Sequence, residues 1–255
     1  MMEIQGYAFD MDGVIWDGDD PIPHAKETIN QIITSGGKLA FVTNNASKSR
    51  EDYQKRLGNF GITADISQII VSSYAAGRYI LDLKGPSKIH AMGKGALVHE
   101  LKSCGHEIVD SGSDFVVCGL DETLTYDKVA NALSNLLDGA ELIGCAPDVT
   151  YLKEGRKLPG TGAFVVALEA ASGKKATILG KPSAKIMEIT AEVLGLNPEG
   201  CLMVGDKLPT DIAAGIRAGM KTALVLTGET TKEEAKSSQF VPDYIINDLR
   251  ELPGL

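Results

Sequence analysis

Short apolar runs bounded by turn residues alternate with segments of helical period along the whole chain. Few architectures accept that alternation other than a parallel sheet with helices on its faces. Gly6-Tyr7-Ala8-Phe9 reads as a first strand. Ala25, Ile29, Ile32 and Ile33 mark one face of a helix that Gly36-Gly37 ends, and Lys38 to Val42 forms a second strand. Ser183 is a good N-cap for a helix in which Ile186, Ile189, Thr190, Val193 and Leu194 share a face and which Gly195 stops. Cys201–Val204 and Thr222–Val225 are two further buried strands, joined by a helix that runs to about Ala218 and ends at Gly219. Between about Lys84 and Lys175 the same pattern forms a separate unit that begins after Gly85-Pro86-Ser87. It has strands at Lys88–Met92, Asp114–Cys118 and Glu141–Gly144, and helices at Ala96–Cys104, Asp127–Asp138 and Gly162–Ser172. The class expected is α/β: a core built from residues 1–83 and 176–255, with an α/β domain of residues 84–175 inserted between its halves.

Composition narrows the partners. The chain carries 34 Asp and Glu against 25 Lys and Arg, a net charge of −9, and 44% of its residues are hydrophobic. A nucleic-acid backbone calls for clustered basic side chains, which argues against that partner. The apolar fraction supports a packed core. No apolar run approaches the ~18 residues of a bilayer span, and Met1-Met2-Glu3-Ile4-Gln5-Gly6 lacks the regions of a secretory signal, so a cytoplasmic protein without a membrane partner is expected. Cys104, Cys118, Cys145 and Cys201 match no metal-binding spacing and are expected to be buried thiols, which leaves metal chemistry to carboxylates.

Four short motifs sit at strand exits, the edge where open α/β sheets bind ligands. The first is Asp10-Met11-Asp12-Gly13-Val14. In a regular strand the spacing of two would point both carboxylates to one side, and their repulsion calls for a cation or a shared proton; a capped strand end followed by a turn is the plainer reading. Thr43-Asn44-Asn45 offers a hydroxyl, amides and backbone N–H groups suited to an oxyanion, or an ordinary turn. Gly180-Lys181-Pro182-Ser183 places an ammonium that could neutralise an anion, or simply a surface lysine. In Gly205-Asp206-Lys207-Leu208-Pro209-Thr210-Asp211 the two carboxylates can converge on a hard cation, Mg²⁺ more naturally than Zn²⁺, although Asp211 could instead serve the helix dipole.

Taken together and in order, these motifs resemble those of the haloacid-dehalogenase superfamily of phosphatases. The long insert between Thr43 and Lys181 resembles that of subclass IIA, which includes NagD-like and 4-nitrophenyl-phosphatase-like enzymes, as do Val42-Thr43-Asn44-Asn45, Pro159-Gly160-Thr161-Gly162 and Gly180-Lys181-Pro182. The resemblance implies a Rossmann-like core with a cap domain and a Mg²⁺-dependent phosphomonoester hydrolase, active on aryl phosphates such as 4-nitrophenyl phosphate. It implies Asp10 as nucleophile forming an aspartyl-phosphate, Asp12 as general acid and base, and Thr43, Asn44, Asn45 and Lys181 as phosphate-binding groups. The metal would be held by Asp10, the Asp12 carbonyl and Asp206, with Asp211 as a further or outer ligand. Asp12 disfavours dehalogenation, because relatives that cleave carbon–halogen bonds lack an acid there.

The expected partner is a small phosphorylated metabolite, and the resemblance leaves room for a homodimer formed through the cap. The family loop that reads the leaving group corresponds to Ala146-Pro147-Asp148-Val149-Thr150-Tyr151, making Asp148, Thr150 and Tyr151 candidates for specificity. The loop lacks the histidines of the pyridoxal-phosphatase branch. Three alternatives compete: a phosphotransferase or sugar-phosphate mutase using the same aspartyl-phosphate, a non-enzymatic phosphometabolite-binding protein, and a nucleotide module at Met92-Gly93-Lys94-Gly95, which lacks the third glycine of the dinucleotide fingerprint.

Overall fold

The computed structural model describes residues 4–153 and 155–254. Contacts divide them into two units. The first comprises residues up to Thr43, Arg50–Ile70 and Lys181 onward; the second comprises Asn44–Ser49 and Val71–Gly180. The helix Ser72–Lys84, which the sequence pattern leaves in the core, packs Ala76 and Ile80 into the apolar cluster of the second unit beside Ile89, Leu97 and Phe115.

In the first unit a six-stranded sheet runs in the order Tyr244–Ile246, Lys221–Val225, Cys201–Gly205, Gly6–Phe9, Lys38–Thr43, Ile69–Val71. Gly6–Phe9 is central and pairs in parallel with both neighbours, Phe9 lying opposite Val204 on one side and Phe41 on the other. That register brings the ends of three adjacent strands level, so Asp10, Thr43 and Asp206 leave the sheet along one edge. Burial explains the composition of these strands: Leu39, Ala40, Phe41, Val42 and Cys201–Val204 are all buried, as expected for strands covered on both faces. Ser183 caps the helix Ala184–Leu194 by accepting from the Lys185 N–H, and Gly195 ends it in the left-handed region, at φ 63°.

The first helix, Ala25–Thr34, buries Ala25, Thr28, Ile29 and Ile32, but Ile33 is 41% exposed. Eight positions beyond Ala25, a side chain has rotated about 80° around the helix and off the apolar stripe, which corrects the expectation that Ile33 joins that face.

The second unit carries a five-stranded parallel sheet, ordered Thr177–Ile178, Glu141–Gly144, Phe115–Cys118, Lys88–Met92, Glu107–Ile108. Alternate side chains of Phe115–Cys118 feed two separate cores. Phe115 and Val117 pack under the helices Ser72–Lys84 and Gly95–Ser103, while Val116 and Cys118 pack under Tyr126–Leu137 and Thr161–Ser172. A two-stranded hairpin, Thr150–Lys153 with Arg156–Pro159, was not foreseen from the sequence. All four cysteines are free and buried, and among the described residues no helix is long and apolar enough to cross a membrane.

The two isoleucines give a direct test of the first helix. Ile32→Ala should lower unfolding stability by about 2–4 kcal/mol in urea, the cost of a truncated core side chain. Ile33→Glu should change it by less than about 0.5 kcal/mol; equal losses would contradict this placement.

Candidate active site

Asp10 follows the central strand directly, and its backbone N–H donates to the Val204 carbonyl at 2.8 Å. The chain then closes on itself: the N–H groups of Ile15 and Trp16 reach the Met11 carbonyl at 2.8 and 3.2 Å, and Gly13 N–H donates to the Trp16 carbonyl at 2.7 Å. This closure needs glycine at position 13, which has φ 82° and where a Cβ would overlap the Asp206 carboxylate. Because the strand ends at Phe9, the two aspartates do not share a side in the way a continued strand would give: Asp10 is buried and Asp12 is exposed.

Asp206 sits at the end of Cys201–Gly205, where its Oδ2 accepts from the Glu229 N–H at 2.8 Å. Its Oδ1 is buried and has no hydrogen-bond partner among the described residues. Asp211 belongs to the wide helical turn Leu208–Ile212 and accepts from the Lys207 N–H at 3.0 Å. A Cβ on Gly205 would overlap Asp211, so glycine there is what lets the two carboxylates approach. Asp10, Asp206 and Asp211 each offer one oxygen, all within 4.8 Å of one another. Lys181 is 3% exposed; its Nζ lies 2.6 Å from Asp10 Oδ1, 2.7 Å from Asp211 Oδ1 and 3.4 Å from the Val42 carbonyl.

The electrostatics of this cluster are unbalanced. Burial pushes the Asp10 carboxyl up to about 8, assisted by the Asp211 and Asp206 charges and resisted by Lys181. Burial and then Asp211 push Asp206 up to about 6. Burial works against the Lys181 charge as well, but Asp10 and Asp211 outweigh it and hold its pKa above the usual lysine value. Among the described residues only Lys181 pairs directly with this carboxylate cluster, Lys207 helping to hold the Asp206 pKa down while paired with Glu229 at 2.8 Å, and an oxygen of Asp206 lacks a hydrogen-bond partner. An all-oxygen donor set short of positive charge fits a hard divalent cation.

Thr43 is buried at the end of its strand, hydrogen-bonded to the side chain of Tyr53. Tyr53 and Trp16 are residues that motif reading missed. Trp16 Nε1 donates to Asp12 Oδ1 at 2.8 Å, and the Trp16 and Tyr53 rings stack 6.3 Å apart. The available signal was a sole tryptophan four positions after Asp12.

The remaining sequence candidates fall in the second unit. Asn44 Nδ2 donates to Asp148 at 3.2 Å, while Asn45 Oδ1 accepts from the backbone N–H and hydroxyl of Ser47, an Asx turn. Thr150 opens the hairpin, and the Tyr151 hydroxyl donates to Glu122 Oε1 at 2.6 Å. Glu122 also takes the ammonium groups of Lys153 and Lys94, each at 2.6 Å, so the Gly93-Lys94-Gly95 segment is tied to a carboxylate.

Residues 7–107 match the haloacid dehalogenase-like hydrolase family, and residues 178–252 match a related hydrolase-like model of the same group. An acid sugar phosphatase of Staphylococcus haemolyticus is 35% identical over 250 residues, covering 98% of this chain and 95% of that protein. The p-nitrophenyl phosphatase from Archaeoglobus fulgidus superposes with a TM-score of 0.93 at 34% identity, over 99% of this chain and all of the other. NagD from E. coli K-12 gives 0.90 at 31% identity, over 98% of each chain. The chain belongs to the haloacid-dehalogenase-like hydrolases, in the phosphatase branch that holds NagD and the nitrophenyl phosphatases.

The raised carboxyl pKa values predict a pH-dependent metal effect. Unfolded, both groups ionise near 3.8; folded without metal, they keep protons up to about 8 and about 6. The folded state then binds more protons than the unfolded one, so the metal-free protein loses stability as pH rises from about 4 to about 8. A divalent cation needs the ionised forms. At 100 times its Kd it should stabilise by about 2.7 kcal/mol, and the rise in Tm it causes should be larger at pH 8 than at pH 5.5. A gain independent of pH would contradict this electrostatic account.

Proposed function

We propose that the protein hydrolyses phosphomonoesters of small metabolites in the presence of Mg²⁺, through a phosphorylated Asp10. The observation that carries this reading is the buried Asp10 carboxylate, which shares Lys181 and a three-carboxylate oxygen cluster at one sheet edge. The names borne by its relatives, acid sugar phosphatase and p-nitrophenyl phosphatase, agree with it.

Asp10, Asp206 and Asp211 are the residues that would hold Mg²⁺, with the Asp12 carbonyl as the family resemblance suggests. When bound, the ion supplies positive charge that keeps Asp10 ionised and offsets the charge of the incoming phosphate. Asp10 attacks phosphorus, forming its O–P bond as the ester O–P bond breaks, and Asp12 gives its proton to the departing oxygen. In the second half Asp12 takes a proton from water, whose oxygen bonds to phosphorus as the Asp10 O–P bond breaks, releasing phosphate. Lys181 holds Asp10 in place and screens the carboxylates from each other and from substrate. Thr43, at the end of its strand, is assigned to phosphoryl oxygens by motif. Asn44 and Asn45 are assigned that role by motif, and leaving-group recognition falls to Asp148, Thr150 and Tyr151 by resemblance.

Asp10→Asn should abolish Mg²⁺-dependent release of phosphate from 4-nitrophenyl phosphate while leaving the folded state intact by circular dichroism. Retained activity in that variant, or full activity of the unaltered enzyme in excess chelator, would overturn the mechanism. Product analysis separates hydrolysis from transfer: free phosphate is expected, and a phosphorylated acceptor alcohol would show a phosphotransferase. A panel of phosphorylated metabolites ranked by kcat/KM identifies the substrate class.

A further inference from the structure

Asp12 lies on the surface in a turn, where an aspartate would ordinarily exchange among rotamers, yet its side chain is held by a fully buried group. Trp16 is 0% exposed, and its indole N–H donates to Asp12 Oδ1 at 2.8 Å. The indole is itself fixed from several directions. The Tyr53 ring stacks on it with an interplanar angle of 8°, Phe60 lies 5.8 Å away at 41°, and the Arg56 guanidinium carbon sits 4.2 Å from its centroid. Arg56 in turn donates to the Gly18 carbonyl, in the hairpin formed by Trp16–Asp17 and Asp20–Pro21. The backbone repeats the constraint, because Gly13 N–H donates to the Trp16 carbonyl.

We infer that Trp16 is a positioning residue for the proton-transfer step: it fixes the rotamer of Asp12 and, by occupying Oδ1, makes Oδ2 the oxygen that delivers and receives the proton. Indole nitrogen is a donor only, so the oxygen it faces must act as acceptor and cannot present a proton towards it. Position matters because small misplacements of a reacting group carry large rate penalties. Tyr53, Phe60 and Arg56 act one step further out, by locking the indole. The inference rests on the role proposed for Asp12, and the test separates the two.

Because the chain has one tryptophan, growing a tryptophan auxotroph on 3-benzothienylalanine replaces this N–H alone and keeps the ring shape. Trp16→Phe serves as a second variant. The readout is kcat/KM, which covers steps up to leaving-group departure, for an alkyl phosphate and for 4-nitrophenyl phosphate. An alkoxide needs protonation to leave, whereas 4-nitrophenolate scarcely does. The benzothienyl enzyme should lose about tenfold or more on the alkyl ester, part of the roughly 10²–10⁴-fold that general acid catalysis supplies, and less than about threefold on the aryl ester. A purely structural role would lower both equally, and that result would overturn the inference. Asp12→Asn must show the same selective loss. If it lowers both esters equally, the acid role fails and the inference with it; if it is selective while the benzothienyl enzyme is not, only the inference fails. An independent reading comes from the single indole N–H resonance of the metal-free protein. It should move upfield in Asp12→Ala, and an unmoved resonance would overturn the hydrogen bond.

Discussion

Three carboxylates and one ammonium share a space from which water is largely excluded, and the architecture around them follows from that charge problem. Asp10, Asp206 and Asp211 repel one another at close range, while Lys181 contacts two of them. The parallel sheet makes the arrangement possible, because strands in register bring residues distant in sequence to one edge. The local chain makes it tolerable. Glycines at 13 and 205 let backbone and carboxylates approach where a Cβ would collide, and the Glu229 and Lys207 N–H groups each satisfy one carboxylate oxygen. What remains is a deficit of positive charge, which suits a hard divalent cation.

Much of this was legible in the sequence, and the reason is the period of the sheet. Buried parallel strands must be apolar throughout, so Phe9, Val42 and Val204 announced their strands and thereby placed Asp10, Thr43 and Asp206 at exits. The capped helix after Ser183 was equally readable, since Ser183 and Gly195 carry conformational information on their own. Less could be read where tertiary contacts decide. Ile33 obeys the apolar pattern yet faces outward, because the stripe had already rotated past it. Asp12 was paired with Asp10 by spacing, but the chain bends between them, and no periodic pattern records a bend closed by backbone hydrogen bonds. The paired strands Thr150–Lys153 and Arg156–Pro159 were missed because their side chains are mostly exposed and carry little alternation in polarity.

The aromatic group behind Asp12 belongs to a kind of residue that motif reading passes over. Trp16 and Tyr53 look like ordinary core residues by burial, and their contribution lies in the single polar atom each carries. Each directs that atom at a side chain with a proposed chemical role: the indole N–H at Asp12 and the phenol at Thr43. The packing of apolar rings thereby sets the orientation of polar groups at the mouth of the sheet, which links core stability to site geometry.

A lone tryptophan at position 16, shortly after Asp10, has a spectroscopic corollary. Tryptophan emission from this protein originates in the first unit, since the second contains no tryptophan. Denaturation followed by tryptophan fluorescence will therefore trace the loss of structure around Trp16 rather than that of the sheet of Phe115–Cys118. Far-ultraviolet dichroism averages over both units, so any offset between the two curves measures how far the inserted unit unfolds independently of the core into which it is spliced.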